Sequence, residues 1–190
     1  MSRTPHLPRL ATAAVLALGM ATGPLPLAAQ PQAQPQTQPP SQAPVTGSLS
    51  GTAFVEQAGT SGLFEIEAAK LARDKSTSSA IRAFADEMIK DHQAMAADLK
   101  AATGQARGEF TLPGQLTPTQ QTLIDRLSAE PKGAGFDRLY VETQIQAHRA
   151  AVGIFTAYAS DGDQTALRAF AERYVPLLQT HLDHALALKG

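Results

Sequence analysis

From residue 52 to the end of the chain, apolar residues return every three or four positions, and no segment shows the strict alternation of a strand. That period places them on one face of an α-helix and predicts four long helices, an all-α domain. The first, over 53–74, carries Phe54, Ala58, Gly62, Ile66 and Ala69 on one stripe, with Thr52 as its N-cap. The second, over 78–103, carries Ile81, Phe84, Ala85, Met88, His92, Met95 and Leu99. It is capped near Ser76 and closed by Gly104. The third, over 135–159, carries Phe136, Tyr140, Val141, Ile145, His148, Val152 and Phe155. The fourth follows the turn Asp161-Gly162-Asp163 and carries Leu167, Phe170, Tyr174, Leu177, Leu178, His181, Ala185 and Leu188. Pro176 removes its hydrogen bond to the Glu172 carbonyl and is expected to bend that helix ahead of His181.

Between the second and third helices, residues 104–133 are polar and contain Gly and Pro. One short helix is expected there, with Thr117 as cap, Pro118 in its first turn, and Leu123, Ile124 and Leu127 as its apolar face. The string Ala80-Ile81-Arg82-Ala83-Phe84-Ala85-Asp86 returns as Ala166-Leu167-Arg168-Ala169-Phe170-Ala171-Glu172, at an offset of 86 residues. The same offset lays the first helix over the third. The domain therefore reads as two related antiparallel hairpins joined by a connection long enough to run the length of a four-helix bundle, the arrangement of ferritin-like folds.

The N-terminal quarter, residues 1–51, has a different character. Arg3 and Arg9 precede an uncharged apolar run of 11 residues, 10–20, followed by Gly23-Pro24-Leu25-Pro26 and the small residues before Gln30. That order is expected of a secretory signal peptide over 1–29, cleaved after Ala29. The run is short for a membrane anchor, which needs about 20 residues. Five prolines and six glutamines then fall between Gln30 and Pro44, so residues 30–51 are expected to be a disordered tether to a bundle domain over 52–190. The destination is the periplasm or the exterior. Absence of cysteine removes disulfides and thiolate ligands, leaving the apolar core to hold the fold. The formal charge is −1, and −3 without the two arginines, with no basic patch for nucleic acid or anionic lipid. No transmembrane segment is expected in the mature chain. Partners are not legible, and a homo-oligomer remains open.

Each apolar stripe contains one residue out of keeping with a core: Glu65, His92, His148 and His181. Residues of an antiparallel hairpin face each other at one level when they are equidistant from its turn. Glu65 and His92 are centred on position 78.5, and His148 and His181 on 164.5, two centres that differ by the repeat offset of 86. At about 1.5 Å per residue the pairs lie about 20 and 25 Å from their turns, near mid-bundle. A carboxylate and three imidazoles at one level form a reasonable shell for one transition-metal ion, zinc, copper or iron. The alternative is a non-enzymatic structural or stress-related interaction module whose polar knot only fixes helix register. Met88 and Met95 flank His92 on its own face; as ligands they would favour copper, and otherwise they fill gaps in the core. His184, one turn beyond His181, could replace it. Asp91 and Glu142 are expected to lie too far round their helices to support the site. No catalytic residue is proposed, since no substrate-binding feature accompanies these groups.

The combination of Gly62-Leu63-Phe64-Glu65, Phe84-Ala85-x-x-Met88-x-x-Asp91-His92, Phe136-Asp137-x-x-Tyr140, His148 and Pro176-x-x-x-x-His181 resembles the bacterial family called domain of unknown function 4142. The likeness covers about 52–188. It implies an exported, ferritin-like bundle and no particular activity. Some members are called outer-membrane proteins, which these helices give no physical reason to accept. The di-iron branch of ferritin-like folds uses two Glu-x-x-His pairs, and this chain has none, so iron storage or di-iron oxidation is disfavoured.

Overall fold

A computed structural model of the protein describes residues 49–189. The expected signal peptide and all of the expected tether up to residue 48 lie outside them. The described residues form five helices: α1 Gly51–Lys75, α2 Ser79–Gln105, α3 Pro118–Ala129, α4 Ala134–Asp161 and α5 Thr165–Leu188. No helix among them is long and apolar enough to cross a membrane.

Four of the five are the predicted long helices, and their ends correct the expected caps. Ser50, not Thr52, caps α1 by accepting from the Ala53 amide, and Ser78, not Ser76, caps α2 by accepting from the Ile81 amide. Gly104 does not close α2, which runs on to Gln105 and stops at the extended Ala106. Helix α3 starts as predicted, with Thr117 and Gln120 exchanging hydrogen bonds in a capping box and Pro118 at its first position. Helix α5 continues through Pro176, which is exposed.

Helix α1 packs against α2 and α4 against α5, as two antiparallel hairpins, while α1–α4 and α2–α5 contacts join them. At one end of the bundle the Asp163 carboxylate accepts from the Gly51 amide at 2.8 Å, and Gln164 accepts from the Arg107 amide at 3.0 Å. The start of α1, the end of α2 and the α4–α5 turn therefore meet there. At the other end Thr77 donates to Asp137 at 2.9 Å, bringing the α1–α2 turn to the start of α4. Helices α2 and α4 thus run in the same direction, and the connection between them travels the whole bundle. Along the way Pro113 lies against Gly59 of α1, where any side chain would collide with it. Lys75 then donates to the Leu127 carbonyl at the end of α3.

The hairpin repeat extends to its hydrogen bonds. Arg82 donates to the Ser76 carbonyl at 2.9 Å, and Arg168, 86 residues later, donates to the Gly162 carbonyl at 2.7 Å. Each arginine holds the turn just before its own helix.

The core has two apolar clusters. One contains Phe64, Phe84, Met88, Phe136, Tyr140, Ile145 and Leu127. The other contains Phe54, Met95, Leu99, Phe155, Tyr158, Phe170 and Tyr174. The predicted stripes of α2, α4 and α5 are largely buried. On α1 the inward face is rotated from the expected one: Phe64, Ala68 and Ala72 are buried, whereas Gly62 and Ile66 sit at its edge. Between the clusters lies a layer of polar side chains.

Candidate metal centre

Glu65, His92, His148 and His181 are all at most 1% exposed. The three imidazoles form a nearly equilateral group, with ring centroids 5.8, 5.6 and 5.4 Å apart for His92–His148, His92–His181 and His148–His181. One nitrogen from each lies within 4.8 Å of the other two. Rings from α2, α4 and α5 thus converge at mid-bundle, as the register of the two hairpins predicts.

Each ring's chemistry follows from its neighbours. His148 Nδ1 stands 3.0 Å from the Gln144 carbonyl one turn earlier on α4. A carbonyl only accepts, so Nδ1 carries the proton and Nε2 is left with its lone pair. His181 Nε2 stands 3.1 Å from the Asp91 carboxylate. The same reasoning leaves the lone pair on Nδ1. These remaining atoms, His148 Nε2 and His181 Nδ1, are buried and have no hydrogen-bond partner, as do both nitrogens of His92. Burial holds His92 well below the usual imidazole range, and any positive charge on His148 or His181 pushes it lower. Burial also lowers His181, against the opposing pull of its Asp91 hydrogen bond. His92 and His181 are therefore neutral near pH 7.

Asp91 corrects the expectation that it lies too far round α2. Its carboxylate reaches across to α5 and, with no ion bound, sets the tautomer of His181. Glu142 is exposed on α4, as expected of a residue off the inward face. Glu65 stands to one side of the imidazole group. Its Oε1 is 3.9 Å from His148 Nδ1, the protonated nitrogen, rather than among the three free lone pairs. Burial raises its carboxyl pKa, while charge on His148 and the nearby Gln144 amide pull it down. The amide stays outside hydrogen-bonding geometry, since neither polar atom of Gln144 has a partner. Tyr140 completes this side of the layer. Its hydroxyl is buried without a partner and its pKa is driven well up by burial, then by Glu65.

The remaining candidates separate. Met88 packs in one apolar cluster and Met95 in the other. Met95 and His92 line a cavity of about 20 Å³ walled by Gly59, Gly62 and Phe155, room for about one water molecule. His184 is 42% exposed and pairs with Glu87 at 3.0 Å, outside the three-imidazole group. Sequence reasoning missed Gln144 and the support from Asp91. Helical period places position 144 on the face of His148, one turn earlier, but the group that meets the ring is a backbone carbonyl, which residue type does not reveal.

The profile of the family described as Domain of unknown function (DUF4142) matches residues 34–188. The chain belongs to that family. Among curated proteins no relative matches it. Three solved structures share its fold. CopM in the Cu(II)-bound form has a TM-score of 0.63 at 14% identity, covering 75% of this chain and 97% of that one. CopM in the Ag-bound form has a TM-score of 0.59 at 15% identity, covering 73% and 93%. CopM in the Cu(I)-bound form has a TM-score of 0.58 at 14% identity, covering 72% and 92%. At these identities the likeness is one of fold.

Three imidazoles, each turning an unpartnered nitrogen toward the others, fit a divalent or monovalent transition metal. Tetrahedral coordination at Zn–N distances near 2.0–2.1 Å separates ligand nitrogens by about 3.4 Å. Modest ring rotations therefore close the observed group onto an ion. Hydrogen bonds to a carbonyl and a carboxylate on the non-ligating nitrogens are the usual supports of metal-bound histidine.

Proposed function

We propose that this member of the family is an exported bundle that holds one transition-metal ion in its core through His92, His148 and His181. Glu65, whose carboxyl burial pushes toward the neutral form, would give up its proton when the ion arrives and supply a compensating charge beside the site. Its fourth-ligand role would require the carboxylate to swing past His148, whereas compensating the ion's charge through that ring requires no such movement. The observation that carries the reading is the set of three buried lone pairs, two of them set by a hydrogen bond on the opposite ring nitrogen. Leaving such atoms unpaired costs about 1–3 kcal/mol each, a cost that a bound ion removes.

Copper is the leading candidate, ahead of zinc and iron. Imidazole accepts all three, copper stands highest in the affinity order of divalent ions, and the similar CopM structures hold copper or silver. The cavity beside His92 would admit a small fourth ligand, with Met95 on its wall. The basic start and apolar run of residues 1–29 support delivery to the periplasm.

Elemental analysis of untagged protein from the periplasm tests the reading. About one equivalent of metal is expected, with a rise in melting temperature on adding it to stripped protein. At an ion concentration a thousand times Kd the stabilisation is about 4.1 kcal/mol. His148→Ala should abolish both while leaving helical content intact. Sub-stoichiometric copper, zinc and iron, with no thermal shift on adding any of them, would leave a polar layer that only sets helix register.

A further inference from the structure

His181 faces two groups at once. One side of its ring meets His92 and His148; the other meets carboxylates. On that second side, oxygens of Glu87 and Asp91 and a nitrogen of His181 lie within 4.8 Å of one another. Glu87 also pairs with Nδ1 of His184 at 3.0 Å. Glu87 and Asp91 are one turn apart on α2, and His181 and His184 nearly one turn apart on α5. Their side chains grade from closed to open: 0% exposed for His181, 20% for Asp91, 36% for Glu87 and 42% for His184. Two carboxylates and two imidazoles therefore run in sequence from the surface to the back of a triad ligand.

We propose that Glu87, Asp91 and His184, together with Nε2 of His181, form an outer site that captures a divalent transition-metal ion from solvent and loads it into the histidine triad. The triad as destination rests on the reading above; capture at the surface does not. Two carboxylates give the outer site the charge to attract a dication, and mixed oxygen and imidazole donors suit Cu²⁺ or Zn²⁺. The triad has three imidazole donors and no carboxylate ligand, so it offers all-nitrogen coordination but little long-range attraction for a dication.

His181 makes the two sites alternatives. A neutral imidazole has one lone pair, so the ring holds one ion at a time. In the outer site that pair is on Nε2 and the proton on Nδ1. In the triad the pair is on Nδ1, and the Nε2 proton is donated to Asp91. Passing an ion inward releases the Nδ1 proton to solvent and takes one from solvent at Nε2, with no net proton change, and Asp91, 3.1 Å from Nε2, accepts the hydrogen bond that results. The outer site is thus a staging point rather than the home of a second ion.

Mixing Cu²⁺ with the full-length chain in stopped flow, with electron paramagnetic resonance of the product, tests this. Glu87→Gln/His184→Ala should slow loading at least about tenfold, the lower range of electrostatic steering. The three-nitrogen signal of the end state should be unchanged. In the His92→Ala/His148→Ala chain, Cu²⁺ should rest in the outer site with nitrogen and oxygen donors, and should be lost when Glu87→Gln/His184→Ala is added. Loading at the original rate in Glu87→Gln/His184→Ala overturns the proposal, as does Cu²⁺ retained in the fourfold variant. If His92→Ala/His148→Ala does not fold, the loading rate alone decides. Failure of the triad reads differently. Cu²⁺ bound equally with and without His92 and His148, yet lost with Glu87 and His184, would remove the buried centre and leave capture standing.

Discussion

Helix α4 buries two tyrosines that belong to different halves of the core, and their hydroxyls are treated differently. Tyr158 stacks on Phe54 at 4.0 Å in one apolar cluster and donates to Asp163 at 2.9 Å. Burial and that carboxylate push its pKa to about 12. Tyr174, in the same cluster, donates to Asp98 and also reaches about 12. Tyr140, beside the polar layer, is fully buried with a hydroxyl that has no partner. The Phe54 half closes its polar groups into pairs, as a region built for stability does. The mid-bundle layer leaves Tyr140, Gln144, Glu65 and four imidazole nitrogens unsatisfied. Such a concentration of unpaired atoms is destabilising in isolation, so the layer is kept for something other than cohesion.

The largest effect that tests this contrast is in the aromatic half. Phe54 is 0% exposed and touches Phe155, Tyr158 and Phe170. Phe54→Ala should cost about 3–5 kcal/mol, read as a fall in the urea midpoint of metal-free protein. A cost below about 1 kcal/mol would mean that this half is loosely packed and that the division of labour is wrong.

Acid should act through the other half. His92 and His181 are held below the usual imidazole range in the folded chain. Below about pH 6.5 the unfolded chain binds their protons and the folded chain does not, so stability falls as pH falls through that window. Two such groups set a limiting slope of about 2.7 kcal/mol per pH unit. Glu65 works in the opposite sense. Its raised pKa keeps a proton in the folded state that the unfolded state loses above about 4.5, so its contribution falls as pH rises through its own window. In metal-free denaturation between pH 4 and 7, His92→Leu should flatten the acid loss and Glu65→Gln should steepen it. An unchanged slope in His92→Leu would show that this ring is not the neutral buried group described.

The fold and the imidazole layer were legible because both are matters of period. Three-to-four spacing gave the helices, and equidistance from the two turns brought His92, His148 and His181 to one level. The repeat does not extend to the ligands. Advancing His92 by 86 residues gives Leu178, and taking 86 from His181 gives Met95, so the layer has no internal symmetry that sequence comparison of the hairpins could expose. Support for the rings was not legible either. Asp91 was judged by its place on the helical wheel, yet a carboxylate side chain reaches sideways to a neighbouring helix. The Gln144 carbonyl is backbone and leaves no trace in residue type. Glu65 shared the predicted level, but a level does not say which nitrogen of His148 it faces. That depends on ring rotation, which hydrogen bonds decide.

The finest test returns to the two tyrosines, because it changes one oxygen in each half. Tyr158→Phe removes a donor from Asp163, whose same oxygen also accepts from the Gly51 amide at the start of α1. It should cost about 1 kcal/mol, the net worth of such a hydrogen bond. Tyr140→Phe removes a hydroxyl that is already buried and unpaired, so it relieves a desolvation cost. Its metal-free stability should be equal to that of the unaltered chain or higher by up to about 1 kcal/mol. Both variants keep the ring, so cavity formation does not enter and equilibrium denaturation reads the oxygen alone. The opposite signs are the point of the pair. A Tyr140→Phe cost as large as that of Tyr158→Phe would show that its hydroxyl is bonded in solution, and the polar layer would then be a satisfied network holding the helices in register.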